Sequence, residues 1–254
     1  MRLHVLHKPV GQTPLEALEA YRKKSGLSPL AKLTYAGRLD PMASGVLLIL
    51  EGATQVQKER YLALPKTYQA QILFGFATDS FDLLGLPSAD VIPTKVEGSL
   101  NSDSIKKTLN SFQGKTLLPL PTYSSVIYKG KPLHYWARNK KNIRLPKREM
   151  EVQKIKLVGC LPDGKAGKQI SSNNLLKYIK KNIAKVNGDF RQKEILKAWN
   201  QLLAQNKNKY LLSTLLISCS SGTYIRSISN ELGKQLGTKA VLFSLKREKI
   251  GSIK

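Results

Sequence analysis

One aspartate of this chain lies in a loop whose composition suits a catalytic carboxylate. Asp40 stands between Leu39 and Pro41 in the string Gly-Arg-Leu-Asp-Pro-Met-Ala-Ser-Gly, residues 37–45. The apolar run 46–50 follows at once, and such a run predicts a buried strand. A carboxylate held against the core in this way is a candidate for nucleophilic chemistry. A plain turn has the same composition, because Asp-Pro is common in turns and aspartate often caps a backbone amide.

An arginine further along the chain belongs to a second string that could carry chemistry. The string Cys-Ser-Ser-Gly-Thr-Tyr-Ile-Arg covers residues 219–226 and leads into a helix predicted from Tyr224 to Leu236. Arg226 therefore stands near the start of a helix, where the helix dipole disfavours a cation. An arginine on the helix surface is the ordinary alternative, but this conflict favours a specific acidic partner.

The elements that must position these residues are strands and helices mixed along the chain. Thr13 and Glu16 have the spacing of a capping box and predict a helix to about Lys24, and a second helix is predicted over 102–112. Predicted strands cover 3–7, 46–50, 67–75, 122–129, 151–158, 210–219 and 240–245. Because strict βαβ alternation is lacking, the chain is predicted to be α+β, with a mixed, largely antiparallel sheet flanked by helices.

Residues 161–209 differ from the rest of the chain in their residue pattern and are predicted to form a basic helical hairpin inserted between two strands. Two apolar stripes recur there at helical spacing, which is more typical of a packing surface than of a ligand groove. Their members are Leu175, Ile179 and Ile183, then Ile195, Leu196, Trp199, Leu202 and Leu203. Lys177, Lys180, Lys181 and Lys185 fill other faces of the first helix. RNA contact and plain solubility stay equally open for these lysines, since charge runs are usually solvent-facing.

The charge of the chain indicates a polyanionic partner. Among 254 residues, 42 are Lys or Arg and 17 are Asp or Glu, which gives a net charge of +25 and an isoelectric point near 10.0. Residues 129–209 hold 21 of the basic residues and 5 of the acidic ones. Such an excess favours nucleic acid over solubility alone. No lipidation motif or bilayer-length apolar run accompanies it, so no membrane partner is expected.

Composition sets further bounds. The apolar fraction of 41% supports a core, and the length suits one large domain, 1–254. Cys160 and Cys219 are too few for a zinc site or a disulfide framework, and the three histidines are too scattered for a histidine-based site. The first residues lack the apolar core of a signal peptide, so a cytoplasmic location is expected.

Five blocks of the chain resemble the motifs of TruB-type tRNA pseudouridine synthases, in the order that this family has them. The string around Asp40 is similar to G-x-L-D-P-x-A-x-G, and the string ending at Arg226 closely resembles C-S-x-G-T-Y-I-R. Three shorter blocks are also similar, namely Lys8-Pro9-Val10-Gly11 to K-P-x-G, Lys66-Thr67-Tyr68 to K-x-Y, and Thr78 to Gly85 to T-D-x-x-D-x-x-G. The resemblance covers nearly the whole chain outside residues 161–209.

The resemblance implies the pseudouridine synthase fold and an isomerase that acts on one uridine in the TΨC arm of tRNA, at tRNA position 55. This reaction breaks the bond between base and ribose, turns the uracil and rejoins it through carbon. Because no redox change or net hydrolysis occurs, neither a cofactor nor a metal is expected. The implied partner is tRNA, and we expect the protein to be a monomer.

The resemblance also implies roles for individual residues. Asp40 would be the catalytic carboxylate, and Arg226 its partner, which would keep it ionised. Tyr68 would stack on an extruded base or assist removal of the C5 proton, although a tyrosine in a strand is more often part of the core. The residues implied to bind substrate are Tyr224, Leu245, Asp82, Gly37 and Lys8. On spacing alone, Asp82 would be a solvated loop residue.

Some positions depart from the family pattern, and they concern RNA docking and base flipping more than the isomerisation. Tyr35-Ala36 stand where the family usually has His-Thr, and Arg38 makes the catalytic string similar to the R-L-D motif of RluA and RsuA synthases. Ile127 takes the place of a lysine. The chain reaches Lys254 soon after the block at 245–247, so we expect no C-terminal PUA domain, and the basic hairpin would supply RNA contacts instead.

Two alternatives stay open. A pseudouridine synthase that acts on another RNA would share these motifs, and Arg38 is compatible with it. A tRNA-binding or tRNA-folding protein without catalysis is the other, and the joint presence of Asp40, Tyr68 and Arg226 argues against it. A glycosidase would need a second carboxylate beside Asp40, and no neighbouring acid is obvious.

Overall fold

The computed structural model describes residues 1–89, 91, 100–139, 143–159 and 166–254. Its strands are β1 (Arg2–Lys8), β2 (Leu33–Ala36), β3 (Ala43–Glu51), β4 (Lys66–Phe74), β5 (Gly114–Pro119), β6 (Ile127–Tyr128), β7 (Lys131–Pro132), β8 (Lys147–Val158), β9 (Lys168–Ser171), β10 (Lys209–Cys219) and β11 (Ala240–Ile250). Its helices are α1 (Pro14–Lys24), α2 (Gln55–Ala63), α3 (Ser102–Asn110), α4 (Leu133–Arg138), α5 (Ser172–Ile183), α6 (Gln192–Gln205) and α7 (Ile225–Gln235). Cys160 and the start of the predicted insertion, 161–165, lie outside the described residues.

Most of the described strands form one sheet, in the order β1-β3-β11-β4-β10-β8-β5, with β2 paired to β3 and β9 paired to β10. Strands β3 and β11 run parallel to each other, and the other neighbours in this sheet are antiparallel. Strands β6 and β7 form a separate antiparallel ribbon. The predicted α+β class with a mixed, largely antiparallel sheet is therefore confirmed.

Helices cover both faces of the central strands. Successive residues of a strand point to opposite faces, and β4 shows this directly. Ile72 and Phe74 belong to an apolar cluster with Ile228 of α7, whereas Leu73 between them belongs to a second cluster with Trp199 of α6. Most of β3 and the last three residues of β4 are buried on both sides, and these stretches read as apolar runs, whereas the first part of β4 alternates between apolar and polar residues.

The first helix is built as its sequence predicts, and it holds a turn beside the Asp40 loop. The Thr13 hydroxyl accepts the Glu16 amide at 3.2 Å, and the Glu16 carboxylate accepts the Thr13 amide at 2.6 Å. The turn before this cap is joined to the loop of Asp40, because the Gly11 amide donates to the Pro41 carbonyl at 2.8 Å. The N-terminal turn therefore helps to position the candidate catalytic loop.

The predicted helical hairpin is present as α5 and α6, between β9 and β10. Its apolar stripes are packed into the cluster that covers one sheet face, with Leu196 only partly buried. Lys177, Lys180, Lys181 and Lys185 are exposed. The hairpin also contacts the N-terminal turn, because a Cβ on Gly11 would collide with the backbone of Lys185. The hairpin is thus docked on the elements that hold the Asp40 loop.

The strand predicted over 122–129 is wrong for most of its length. Only β6 is extended there, and the strand that pairs with β8 is β5, at 114–119. Pro119 and Pro121 lack the amide that a sheet ladder needs, which explains why pairing ends before 122. The short elements β2, α2 and α4 were not predicted either, because they have no strong periodicity.

Candidate active site

A cavity of about 680 Å³ opens where the Asp40 loop, the start of β4 and the start of α7 meet. It is lined by most of the residues implied as site residues, namely Asp40, Arg226, Tyr68, Tyr224, Leu245 and Gly37. Asp82 borders a smaller adjoining cavity of about 70 Å³, which shares the Asp40 and Arg226 side chains with the larger one. Residues distant in sequence are therefore brought together around one carboxylate.

The loop that carries Asp40 is fixed by the buried Arg247 of β11. The guanidinium of Arg247 donates to the carbonyls of Arg38 at 3.1 Å, Gly37 at 3.3 Å and Val46 at 2.7 Å. Gly37 has a φ of 83°, in the left-handed region that favours glycine, so the loop can turn there. The Asp40 side chain remains 41% exposed, and its carboxylate is accessible from the cavity.

Arg226 is the buried partner of Asp40. Its Nε lies 2.9 Å from Asp40 Oδ2, and its Nη2 donates to Asp40 Oδ1 at 3.3 Å. The guanidinium also donates to the carbonyls of Ser80 at 3.1 Å and Tyr123 at 3.2 Å. Burial by itself would lower the pKa of Arg226, but the charges of Asp40 and Asp82 outweigh it and raise this pKa overall. The acidic partner expected for Arg226 is thus Asp40, held by one hydrogen bond from Nη2 and by the close approach of Nε, which has no hydrogen-bond partner among the described atoms.

A second carboxylate, Asp82, lies on the other side of the same guanidinium. Its Oδ2 is 3.7 Å from Arg226 Nη1, and its Oδ1 accepts the Ser80 hydroxyl at 2.6 Å and the Leu84 amide at 3.0 Å. Burial raises the pKa of Asp82, and the charge of Arg226 opposes this shift. The alternative of a solvated Asp82 is therefore ruled out, and an acid does lie near Asp40, because α7 packs its arginine between the two loops.

The aromatic and apolar residues implied to line a uracil pocket do line the cavity. Tyr68 and Leu245 are buried, and Tyr224 is partly buried at the start of α7. Burial raises the pKa of the Tyr68 phenol, and the nearby Arg247 opposes this shift. The Tyr68 hydroxyl therefore stays protonated at neutral pH, which suits a hydrogen-bond donor or a stacking surface better than a phenolate base.

Lys8 is the exception among the residues implied to bind substrate. It is 1% exposed and does not line the cavity of Asp40. Its ammonium donates to the carbonyls of Pro9 at 2.9 Å and Gln12 at 2.7 Å. Burial lowers the pKa of Lys8 to about 8, against the opposing charge of Asp40. Lys8 therefore holds the N-terminal turn together and borders a separate cavity of about 460 Å³, so its implied contact with substrate stays a prediction.

Several residues of the cavity wall were not predicted from sequence. Arg247, Lys66, Ser124 and His134 all lie there. Burial lowers the pKa of Lys66 to about 8, and its ammonium donates to the Leu62 carbonyl. The Ser124 hydroxyl is buried and has no hydrogen-bond partner among the described atoms. The K-x-Y block pointed to Lys66, but only the packing of the strands shows that Arg247 reaches the Asp40 loop.

The residues that depart from the family pattern fall into two groups. Tyr35 and Arg38 line the cavity, so they can affect how a substrate docks. Ala36 is buried in β2 opposite Leu48, and Ile127 is 64% exposed in β6 and does not line the cavity. The differences at the cavity wall therefore concern Tyr35 and Arg38 rather than Ile127.

Other kinds of site find no support in the described part of the chain. No group of three or more His, Cys, Asp or Glu side chains is arranged there to hold a metal ion. Cys219 is a buried free thiol, and burial raises its pKa to about 11, so it is a poor nucleophile. No helix among the described residues is both long and apolar enough to cross a membrane.

Sequence comparisons connect the chain to one family of RNA-modifying enzymes. The family model described as TruB family pseudouridylate synthase (N terminal domain) matches residues 23–174. A tRNA pseudouridine synthase B from Aquifex aeolicus (strain VF5) is 28% identical over 249 residues, which cover 98% of this chain and 68% of that protein. The one from Acaryochloris marina (strain MBIC 11017) is 31% identical over 243 residues, which cover 95% and 65%. The chain thus spans about two thirds of the length of these relatives.

Solved structures show the same fold at low sequence identity. A chain of "Crystal Structure of a Cbf5-Nop10-Gar1 Complex" matches 99% of this chain with a TM-score of 0.57 and 20% identity, over 49% of its own length. A chain of "Structure of H/ACA RNP bound to a substrate RNA containing 2'-deoxyuridine" matches 99% with a TM-score of 0.54 and 19% identity, over 48% of its own length. At this identity the likeness shows the fold alone.

Proposed function

This chain belongs to the TruB family of pseudouridylate synthases, and from that premise we propose that it isomerises a uridine in the TΨC arm of tRNA to pseudouridine. The observation that carries the proposal is the hydrogen-bonded ion pair between the partly exposed carboxylate of Asp40 and the buried guanidinium of Arg226. An accessible carboxylate with a fixed counter-charge suits a reaction at an electron-poor sugar or base. The names of the relatives support tRNA as the substrate class.

The proposed reaction balances without any added oxidant, reductant or metal. The bond between C1′ and N1 breaks, the uracil turns, and a bond between C1′ and C5 forms. The proton on C5 leaves, and N1 gains a proton. An ionised oxygen of Asp40 can attack C1′ or add to C6 of the base, and both routes need the carboxylate beside a base that has left the helix stack.

The other cavity residues fit supporting roles in this reaction. Tyr68, Tyr224 and Leu245 offer an aromatic and apolar lining on which a flipped uracil can pack. Arg226 keeps the Asp40 carboxylate oriented, because three different acceptor groups hold its guanidinium in place. Arg247 holds the backbone of the Asp40 loop. In this proposal, the chain's own side chains supply binding, orientation and the reacting carboxylate.

The decisive experiment is incubation of the purified chain with unmodified tRNA, followed by mass mapping of nucleosides in the TΨC loop. We expect one new pseudouridine, formed on prefolded tRNA even when a metal chelator is present. Mapping of total RNA with and without the protein separates this proposal from a synthase that acts on another RNA. Binding of tRNA without any pseudouridine would overturn the proposal and favour a tRNA-binding or tRNA-folding role.

A further inference from the structure

The turn between α5 and α6 reaches the wall of the candidate active site. Phe190 borders both the large cavity and the smaller one, and Arg191 borders the smaller one together with Asp40 and Asp82. From sequence, the hairpin is predicted to supply exposed lysines and a packing surface. We call residues 187–191 the hairpin tip.

Arg191 ties the hairpin tip to the loop that carries Asp82. Its Nη1 lies 3.0 Å from Asp79 Oδ2, and Asp79 Oδ1 accepts the Leu86 amide at 2.9 Å. The guanidinium also lies over the ring of Tyr123, with its central carbon 4.3 Å from the ring centroid. An ion pair and a cation–π contact therefore act on one side chain, from two different segments of the cavity wall.

Further contacts fix the backbone of the hairpin tip. Arg138 of α4 donates through Nη2 to the Asp189 carbonyl at 2.8 Å. The Gln192 amide group donates to the Gly188 carbonyl at 2.7 Å, and its oxygen accepts the Phe190 amide at 2.9 Å. Arg191 itself has a φ of 61°, a conformation that non-glycine residues rarely adopt and that persists only where surrounding contacts determine it. These contacts hold the hairpin tip in place as part of the cavity wall.

We propose that Phe190 stacks on a nucleobase of the substrate RNA that neighbours the target uridine, with Arg191 as the positioning residue of the tip. The inference rests on the proposed function and names a further substrate contact of the same site. A flipped nucleotide leaves its neighbours without a stacking partner, which costs a few kcal/mol, and an aromatic ring at the cavity wall replaces that partner. The ring of Phe190 is partly buried against the hairpin cluster and borders both cavities, so it is held in place yet reachable.

The chemistry of the contact limits what it can recognise. Phenylalanine has no hydrogen-bonding group, so stacking on it tolerates any base and does not read base identity. Arg138, an exposed cation on the same wall, can meet the phosphate next to the stacked nucleotide. The hairpin tip therefore contributes affinity and placement rather than sequence choice.

The test measures binding of TΨC stem-loop RNAs in which each nucleotide near the target uridine is replaced, one at a time, by an abasic site. Phe190→Leu keeps apolar packing and removes the ring, and Phe190→Tyr keeps the ring. We expect Phe190→Leu to weaken binding of the intact stem-loop by at least about fivefold. Phe190→Leu should not change binding of the stem-loop that lacks the stacked base. Phe190→Tyr should bind the intact stem-loop and the abasic one as wild type does.

A matched control variant is Tyr178→Leu, which removes a partly buried aromatic from the same hairpin, stacked on Phe243 and away from both cavities. It should lose affinity equally, if at all, on every stem-loop. An effect of Phe190→Leu that is absent, or equal on all stem-loops, would overturn the inference. The readout is RNA affinity, so the two proposals can fail separately. If the wild-type protein binds these RNAs but makes no pseudouridine, the proposed function is wrong. The effect of Phe190→Leu on binding still decides whether Phe190 stacks on a base.

Arg191→Met provides a separate readout for positioning. It keeps the length of the side chain but removes the ion pair with Asp79 and the charge over Tyr123. We expect KM for the intact stem-loop to rise severalfold with kcat little changed, and no rise on the stem-loop that lacks the stacked base. A variant that instead loses kcat equally on all stem-loops would show a purely structural role and contradict positioning.

Discussion

The guanidinium of Arg226 contacts both carboxylate oxygens of Asp40, with Nε at 2.9 Å from Oδ2 and Nη2 at 3.3 Å from Oδ1. Arg226 is buried, whereas the Asp40 side chain is 41% exposed, so the pair presents its acidic member to the cavity. The hydrogen bond from Nη2 and the close approach of Nε together fix the direction of the carboxylate beside a positive charge. The orientation of the proposed catalytic group is therefore set before any substrate binds.

Asp40→Asn should abolish isomerisation while tRNA binding persists. Asparagine keeps the size of the side chain but lacks the negative charge and the nucleophilic oxygen. We expect tritium release from C5-labelled uridine in tRNA to fall by more than about a thousandfold, as is found when a covalent nucleophile is removed. Filter binding with the same tRNA serves as the control and should change less than about twofold. Substantial turnover by this variant would remove the basis of the proposed function.

Arg226→Lys should lose most activity without unfolding the protein. Lysine retains the buried positive charge between Asp40 and Asp82, but its single ammonium cannot reproduce the guanidinium's contacts with Asp40 and with the Ser80 and Tyr123 carbonyls. Loss of one charge-assisted hydrogen bond predicts a fall in kcat of about 10- to 150-fold. Arg226→Met is the matched variant, and it should also lower the free energy of unfolding by about 3–5 kcal/mol because Asp82 is left as an unpaired buried charge. Equal activity of Arg226→Lys and wild type would contradict this role of the Arg226 guanidinium.

Asp82→Asn should reduce kcat with little change in tRNA affinity. Asparagine can keep the contacts with the Ser80 hydroxyl and the Leu84 amide, so the variant mainly removes the charge that faces Arg226. We expect kcat to fall about 5- to 30-fold, the equivalent of one such interaction. Because burial raises the pKa of Asp82, wild-type kcat should fall towards acid pH as this carboxylate protonates, and the variant should lack that limb. If kcat of Asp82→Asn still fell towards acid pH as wild type does, another group would be responsible for that fall.

The sequence predicted the parts of this site that depend on local patterns. Apolar runs predicted β3, β4 and β10, and short strings identified Asp40 and Arg226. The burial of Asp82 could not be predicted, because it depends on how α7 packs against the loop at 78–87, far away in sequence. The same applies to Phe190, whose place at the cavity is fixed by contacts of the hairpin tip with Asp79, Tyr123 and α4.

Lys8 should make stability depend on pH between about 8 and 10.5. Its pKa is lowered to about 8 in the folded protein from an ordinary value of 10.5, so the unfolded chain binds its proton more tightly. The free energy of unfolding must therefore rise with pH through this window, by up to about 3 kcal/mol from this group. Denaturant unfolding of wild type and Lys8→Met at pH of about 7.5 and about 10 isolates the contribution, since methionine does not titrate. A difference between the two proteins that stays constant with pH would contradict the lowered pKa.

The exposed lysines of α5 and of the turn after it should add to the affinity for tRNA through its phosphates. Lys177, Lys180, Lys181 and Lys185 are solvent-exposed on a hairpin whose tip borders the candidate active site. Each phosphate that a lysine neutralises releases condensed counterions, so affinity falls with salt more steeply as more phosphates are neutralised. Changing all four lysines to Gln should therefore weaken tRNA binding at low salt. The slope of log affinity against log salt should also flatten, by up to about 0.7–0.9 for each phosphate that is no longer neutralised.

The control for these lysines changes four others to Gln, on α3 and β8: Lys106, Lys107, Lys154 and Lys156. These side chains are also exposed, so this variant loses the same net charge. If these four lysines contact RNA, the variant that lacks them must lose more tRNA affinity than the control, and its log affinity must depend less steeply on log salt. Its kcat at saturating tRNA should stay near wild type, because the chemical step is untouched. Equal losses of tRNA affinity in both variants would show that only net charge matters. No loss of affinity in the variant without Lys177, Lys180, Lys181 and Lys185 would leave those lysines with a solubility role alone.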